Sequence, residues 1–102
     1  MRRLTCQELR TRWRELQNLA LEWDPIGVAD IPECRDEYDE CVVGPLLRML
    51  EQGATAEQVS AFLQTELPNH FGIEPKPSRD DALVAKAWAW FNNHWRDTMA
   101  YY

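Results

Sequence analysis

Trp23-Asp24-Pro25-Ile26-Gly27, followed after a short loop by Asp36-Glu37-Tyr38-Asp39, is the stretch on which the reading of this chain turns. Pro25 pushes Asp24 out of the α region, so a helix arriving at Trp23 has to stop there. Asp first, Pro second and Gly fourth also satisfy the preferences of a type I turn at 24–27. The stretch therefore joins two helices, and it holds nearly all of the charge imbalance. From Glu22 to Glu40 there are eight acids (Glu22, Asp24, Asp30, Glu33, Asp36, Glu37, Asp39, Glu40) and one base, Arg35, a net of −7. The whole chain of 102 residues carries −6, which leaves +1 for everything outside.

Upstream, Thr5 and Glu8 have the spacing of a capping box, in which each side chain satisfies a backbone N–H at a helix start, and Leu4 and Leu9 stand at the staple positions around it. Leu9, Trp13, Leu16, Ala20 and Trp23 then recur at intervals of four, three, four and three, a narrow apolar stripe. Arg3, Arg10 and Arg14 lie beside that stripe. Turn chemistry accounts for every residue of the 23–27 motif except Ile26, so a scaffold role is preferred over direct ligand contact. Ile26 and Val28 are expected to tuck inward.

Downstream, Asp36 or Asp30 is expected to cap a second helix, with Pro32 suited to a first helical position. Tyr38, Val42, Leu46 and Met49 mark its buried face and Gly53 its stop. Gly44-Pro45 interrupts this pattern, because proline removes one backbone bond and crowds the preceding turn; a kink or break over residues 41–45 follows. Thr55 and Gln58 form a second capping box that opens a helix through Val59, Phe62, Leu63 and Leu67, closed by Pro68. Phe71 and Ile73 are expected to plug the core from a loop, and Ser78 with Asp81 to start the last helix. There Leu83, Val84, Ala87, Trp88, Phe91 and Trp95 span an arc of about 140° at 100° per residue. The fold class expected is all-α: a compact irregular four-helix bundle, its second helix kinked or broken near Pro45, with residues 1–102 as a single helical domain.

Composition narrows the chemistry. Three cysteines without Cys-x-x-Cys spacing indicate neither a disulfide framework nor a zinc knuckle. A helical di-metal site wants Glu-x-x-His motifs; here Glu66 and His70 are four apart with Pro68 between them, and His94 has only Asp97 nearby. Asp24 to Glu37 lacks the alternation of a calcium loop. No metal and no cofactor are therefore expected. Cys34 sits among acids, Cys6 near Arg2, Arg3 and Arg10 is the better of three poor nucleophiles, and an idle cysteine is preferred throughout. Without a catalytic signature the chain reads as a non-enzyme. Five arginines precede Glu15, but Glu8 lies among them and the chain as a whole is acidic, which argues against nucleic acid. Met1-Arg2-Arg3 runs straight into polar residues and no apolar run is long enough to span a bilayer, so a cytoplasmic protein that avoids membranes is expected.

Trp23-Asp24-Pro25-Ile26-Gly27, Asp36-Glu37-Tyr38-Asp39 and Leu46…Leu50-Glu51-Gln52-Gly53-Ala54 together resemble a group of small bacterial helical proteins of unknown function. Those share the same turn, an Asp-Glu-Tyr-Asp segment and a Gly-Ala helix junction. The resemblance covers residues 23–72. It implies a fold and no activity, and its relatives look like small proteins found beside bacterial toxin genes. Nuclease-colicin immunity proteins offer an analogy of charge alone, since their Asp-x-x-x-Tyr-Tyr segment is missing here and Tyr101-Tyr102 stands at the chain end.

A basic surface is the natural complement of the acidic connector. The expected function is an acidic helical binding protein that docks a basic protein partner, an immunity or inhibitor protein facing a toxin being the most concrete version. The candidate contact residues are Asp24, Asp30, Glu33, Asp36, Glu37, Tyr38, Asp39 and Glu40, with Tyr38 or Ile26 as the apolar anchor. The alternative is a homo-oligomerising module that associates through the aromatic last helix by way of Trp90, Met99, Tyr101 and Tyr102.

Overall fold

Thr5 and Glu8 make the reciprocal capping box their spacing promises: the Glu8 N–H donates to Thr5 Oγ1 at 3.1 Å and the Thr5 N–H to Glu8 Oε1 at 3.0 Å. Arg2 clamps the same carboxylate at 2.8 Å. From this cap α1 runs over Cys6–Trp23. The computed structural model describes residues 2–99, and of Met99 the backbone only. Three further α-helices follow among these residues: α2 (Gly44–Glu51), α3 (Ala56–Glu66) and α4 (Pro77–His94). The fold is all-α, as expected. A short parallel pairing, β1 (Arg2–Arg3) with β2 (Thr98–Met99), ties the two ends of this region together, Arg2 opposite Thr98 and Arg3 opposite Met99.

The break in the second helix takes a specific form. Before Pro45 the chain makes a π-helical turn, Asp39–Val43, in which the Val43 N–H reaches back five residues to Tyr38 O at 3.0 Å and the Gly44 N–H to Asp39 O. The wider turn gives the proline ring room against the carbonyls behind it, and α2 resumes directly afterwards. Gly44 is closely packed here: a Cβ would make a tight contact of 3.3 Å with Asp39 O and an ordinary one of 3.5 Å with the Trp13 ring. The α2 stop is a Schellman motif, with the Ala54 N–H on Met49 O and the Gly53 N–H on Leu50 O.

Pro68 does not close α3 as the sequence suggests. It sits within a second π-helical turn, Leu67–Phe71, that carries the helix on until Gly72 ends it in the left-handed region. Two capping expectations also fail. Neither Asp30 nor Asp36 caps a helix; Ile31 precedes a 3₁₀ turn at Pro32–Cys34, and neither that turn nor Asp39–Val43 has a side-chain cap. In α4, Pro77 takes the first helical position, and it is Asp80, not Ser78 with Asp81, that reaches back to the Lys76 N–H at 2.8 Å.

The core is the sum of the predicted stripes. Leu16, Ala20 and Trp23 of α1 meet Tyr38, Val42 and Leu46, Val59 and Leu63 of α3, and Leu83, Ala87 and Phe91 of α4, all buried. Each such large side chain contributes roughly 1.5–3 kcal/mol of burial. Ile26, Val28, Phe71 and Ile73 pack against the cluster as loop plugs. Trp88 departs from expectation: it is 41% exposed, so the apolar face of α4 is narrower than its sequence implies. Arg12 departs the other way and is wholly buried on α1.

Candidate functional site

Asp24 sits just past the end of α1 with φ 40°, in the left-handed region that Asp tolerates better than most residues. Its carboxylate turns inward and accepts from the Val28 N–H at 2.8 Å, the Ala29 N–H at 2.9 Å and the Tyr38 hydroxyl at 2.8 Å. The Gly27 N–H closes the turn on Asp24 O at 3.3 Å. Burial works to raise this carboxyl, but the hydrogen bonds from Ala29, Val28 and Tyr38 outweigh it and hold it below the ordinary value. Tyr38 is 1% exposed, its ring against Trp23 (centroids 5.4 Å apart) and Phe71 (5.7 Å). Burial and the neighbouring Asp24 carboxylate push its phenol well above the usual range.

Two residues proposed as contacts are therefore scaffold. Asp24 organises the connector from inside, and Tyr38 belongs to the core, because an aromatic ring between Trp23 and Phe71 gains more from burial than from display. Ile26, the other proposed anchor, is likewise packed against the core. Replacing Asp24 by Ala should cost about 2–3 kcal/mol in urea unfolding, since two N–H groups and a buried hydroxyl lose their acceptor. Tyr38→Phe should cost about 1 kcal/mol. An Asp24→Ala protein as stable as the parent would contradict this account.

Held by Asp24 at one end and Tyr38 at the other, the connector winds through successive i→i−3 bonds: Ile31 N–H to Val28 O, Cys34 to Ile31, Glu37 to Cys34 and Asp39 to Asp36, all at 3.0–3.1 Å. This frame places Asp30, Glu33, Asp36, Glu37 and Glu40 outward and exposed. Among the described residues none of these carboxylates enters an ion pair. Asp39 is half-buried and accepts from Gln17 Nε2 at 3.0 Å. The connector's one base, Arg35, is turned to Asn18 Oδ1. Ile31, 44% exposed, stands among these acids, and with Trp88 it is one of two exposed large apolar side chains among the described residues.

Of the residues proposed for self-association, Trp90 is half-buried, and its indole N–H, like that of Trp95, donates to Glu15 Oε1 (3.2 and 3.0 Å). Tyr101, Tyr102 and the Met99 side chain lie outside the described residues.

Cys41, Glu66 and His70 are brought together by the two π-helical turns. Cys41 Sγ lies 2.7 Å from His70 Nε2, and His70 Nδ1 lies 3.8 Å from Glu66 Oε1. Burial, then the charges of Glu66, Glu40 and Glu37, push the Cys41 thiol up. In sequence Glu66 and His70 fail the Glu-x-x-His pattern, being four apart with Pro68 between them, but the helix continues past that proline as a π-helical turn. Their four-residue spacing is the signal that was available, since it puts both on one helical face once the turn continues. Ile31 was missed as a lone apolar residue in a polar loop.

Comparison of the chain with protein-family models, curated proteins and solved structures finds no match. No described helix is long and apolar enough to cross a membrane.

Proposed function

We propose that this chain is a non-enzymatic binding protein that docks a basic protein partner through Asp30, Glu33, Asp36, Glu37 and Glu40, with Ile31 as the apolar anchor among them. The observation that carries the reading is the display of five exposed carboxylates, none in an ion pair among the described residues, on the same hydrogen-bonded connector as an exposed isoleucine. Charges of one sign on a fixed surface speed encounter and set register, while a central apolar side chain supplies the contact that slows release. Inhibition of a basic bacterial toxin is the most concrete form, supported by the resemblance of the 23–27 and 36–39 motifs to small bacterial helical proteins of that setting.

The test is kinetic. A partner captured from the source cell should associate with the Glu33→Gln/Asp36→Asn/Glu40→Gln protein about tenfold more slowly, and with a flatter dependence on salt. Ile31→Ala should instead raise the dissociation rate. Unchanged kinetics in both variants would remove the docking claim. Self-association through α4 is the second reading, supported by the exposure of Trp88. Sedimentation of the parent against Trp88→Ala separates it from the first.

A further inference from the structure

Cys41, Glu66 and His70 come from two separate helical segments, yet one ligand atom from each lies within 4.8 Å of the other two. Both segments carry π-helical turns, a distortion that recurs at functional sites because it re-aims side chains which a regular helix would separate. We propose that this cluster is a binding site for a thiophilic divalent transition-metal ion of the zinc class, held by Cys41 Sγ, His70 Nε2 and the Glu66 carboxylate, with solvent completing the coordination. This goes beyond the docking reading and does not depend on it.

Three features decide for a cation. The donor set of thiol, imidazole and carboxylate is the one zinc favours, and three protein ligands leave an open position. Bond lengths to zinc and a tetrahedral angle place sulfur and nitrogen about 3.5 Å apart. The 2.7 Å pair has to open by only about 0.8 Å, which His70 can supply because its side chain is 51% exposed. Finally, the donor atoms of Cys41, His70 and Glu66 all lie within 4.8 Å of one another, so that one ion can reach all three. The same three groups line up in the order thiol, imidazole, carboxylate, as in a nucleophilic triad. A carboxylate that joins the thiol and the imidazole in one cluster attracts a cation to it. On binding, the Cys41 thiol gives its proton to solvent and sulfur donates the freed pair to the metal, while His70 coordinates as neutral imidazole through Nε2 with its proton on Nδ1 and the Glu66 carboxylate coordinates through an oxygen.

The full chain titrated with Co²⁺ should bind one equivalent and develop a thiolate-to-cobalt charge-transfer band, which Zn²⁺ then displaces. The Cys6→Ser/Cys34→Ser protein should behave like the parent. Cys41→Ser should abolish the band, and His70→Ala and Glu66→Gln should each weaken binding about tenfold or more. Zn²⁺ should raise the melting temperature of the parent but not of His70→Ala. Circular dichroism checks each fold, and His70, being exposed, keeps the test decisive even where Cys41→Ser unfolds. Absence of stoichiometric binding overturns the proposal. So does equal binding by the parent and His70→Ala, or a band that follows Cys6 or Cys34.

Discussion

Asp80→Ala should destabilise the protein by about 3–4 kcal/mol, among the largest losses available to a single substitution here. Asp80 is 2% exposed and accepts from the Trp23 indole N–H, the Lys76 backbone N–H and Arg79 Nε, each at 2.8 Å. Truncation orphans the indole in the core and the N–H at the start of α4 together. Arg79, whose side chain is 24% exposed, recovers water, which keeps the loss below that of a fully enclosed pair. Asp80→Asn should cost less, about 2 kcal/mol, since one oxygen still accepts but the amide nitrogen meets a donor. Each kcal/mol should lower the melting temperature by roughly 4–8 °C. Asp81, exposed on the same helix, serves as the control and should tolerate Ala within about 0.5 kcal/mol.

Asp80 also predicts the pH profile. Burial works to raise its carboxyl, yet the hydrogen bonds from Arg79, Trp23 and Lys76 hold it below the ordinary value of 3.8, and Asp24 is lowered in the same sense. As acid is added the unfolded chain takes up these protons first. Stability is therefore fully present above the ordinary carboxylate range and is lost as pH falls through the lower folded value. Urea midpoints should be level above about pH 5 and decline below about pH 4, and the decline should be shallower in Asp80→Asn. A parallel decline in both proteins would mean that Asp80 is not the group responsible.

Glu51→Ala should cost about 3–5 kcal/mol, while Arg12→Met should cost little or stabilise. Arg12 is completely buried; its Nη2 donates to Glu51, its Nε and Nη1 have no hydrogen-bond partner among the described residues, and its guanidinium carbon lies 5.9 Å from the Phe91 centroid. Removing the carboxylate strands a cation in the core with only the ring to face it. Removing the cation leaves Glu51, 14% exposed, to turn toward water, and it also deletes two unsatisfied donors. Methionine follows much of the same path with an adaptable apolar chain. Urea unfolding of the two single variants and the double variant gives the coupling directly. A larger loss for Arg12→Met than for Glu51→Ala would reverse the assignment.

Helices α1 and α3 were legible because both begin with a capping box and continue with an unbroken apolar stripe, two local signals that agree. The Schellman stop at Gly53 was legible for the same reason. Pro45 and Pro68 both announced a disruption, but sequence rules distinguish poorly between a broken helix and one that widens for a turn, since the outcome depends on tertiary packing of Val42, Val43 and Leu67. Asp80 escaped notice because its partner Trp23 lies 57 residues away, beyond any local rule. Arg12 escaped because its type is ordinarily exposed. At the candidate site the charge pattern gave the outward carboxylates, while the inward turn of Asp24 came from hydrogen bonds to residues 28, 29 and 38 that a charge count ignores.

The packing of the first helix against the last bears on how the chain reaches this structure. Closing the span between Trp23 and Asp80 takes on the order of 3–4 kcal/mol of chain entropy before any contact repays it. During synthesis α1 emerges with a stripe of Leu16, Ala20 and Trp23 whose partners on α4 are still many codons away. The acidic connector, held by bonds between near neighbours, needs no such wait. Nascent chains would then carry a finished negative loop beside an uncovered apolar helix, with like-charge repulsion between copies as the nearest safeguard against clumping until α4 arrives.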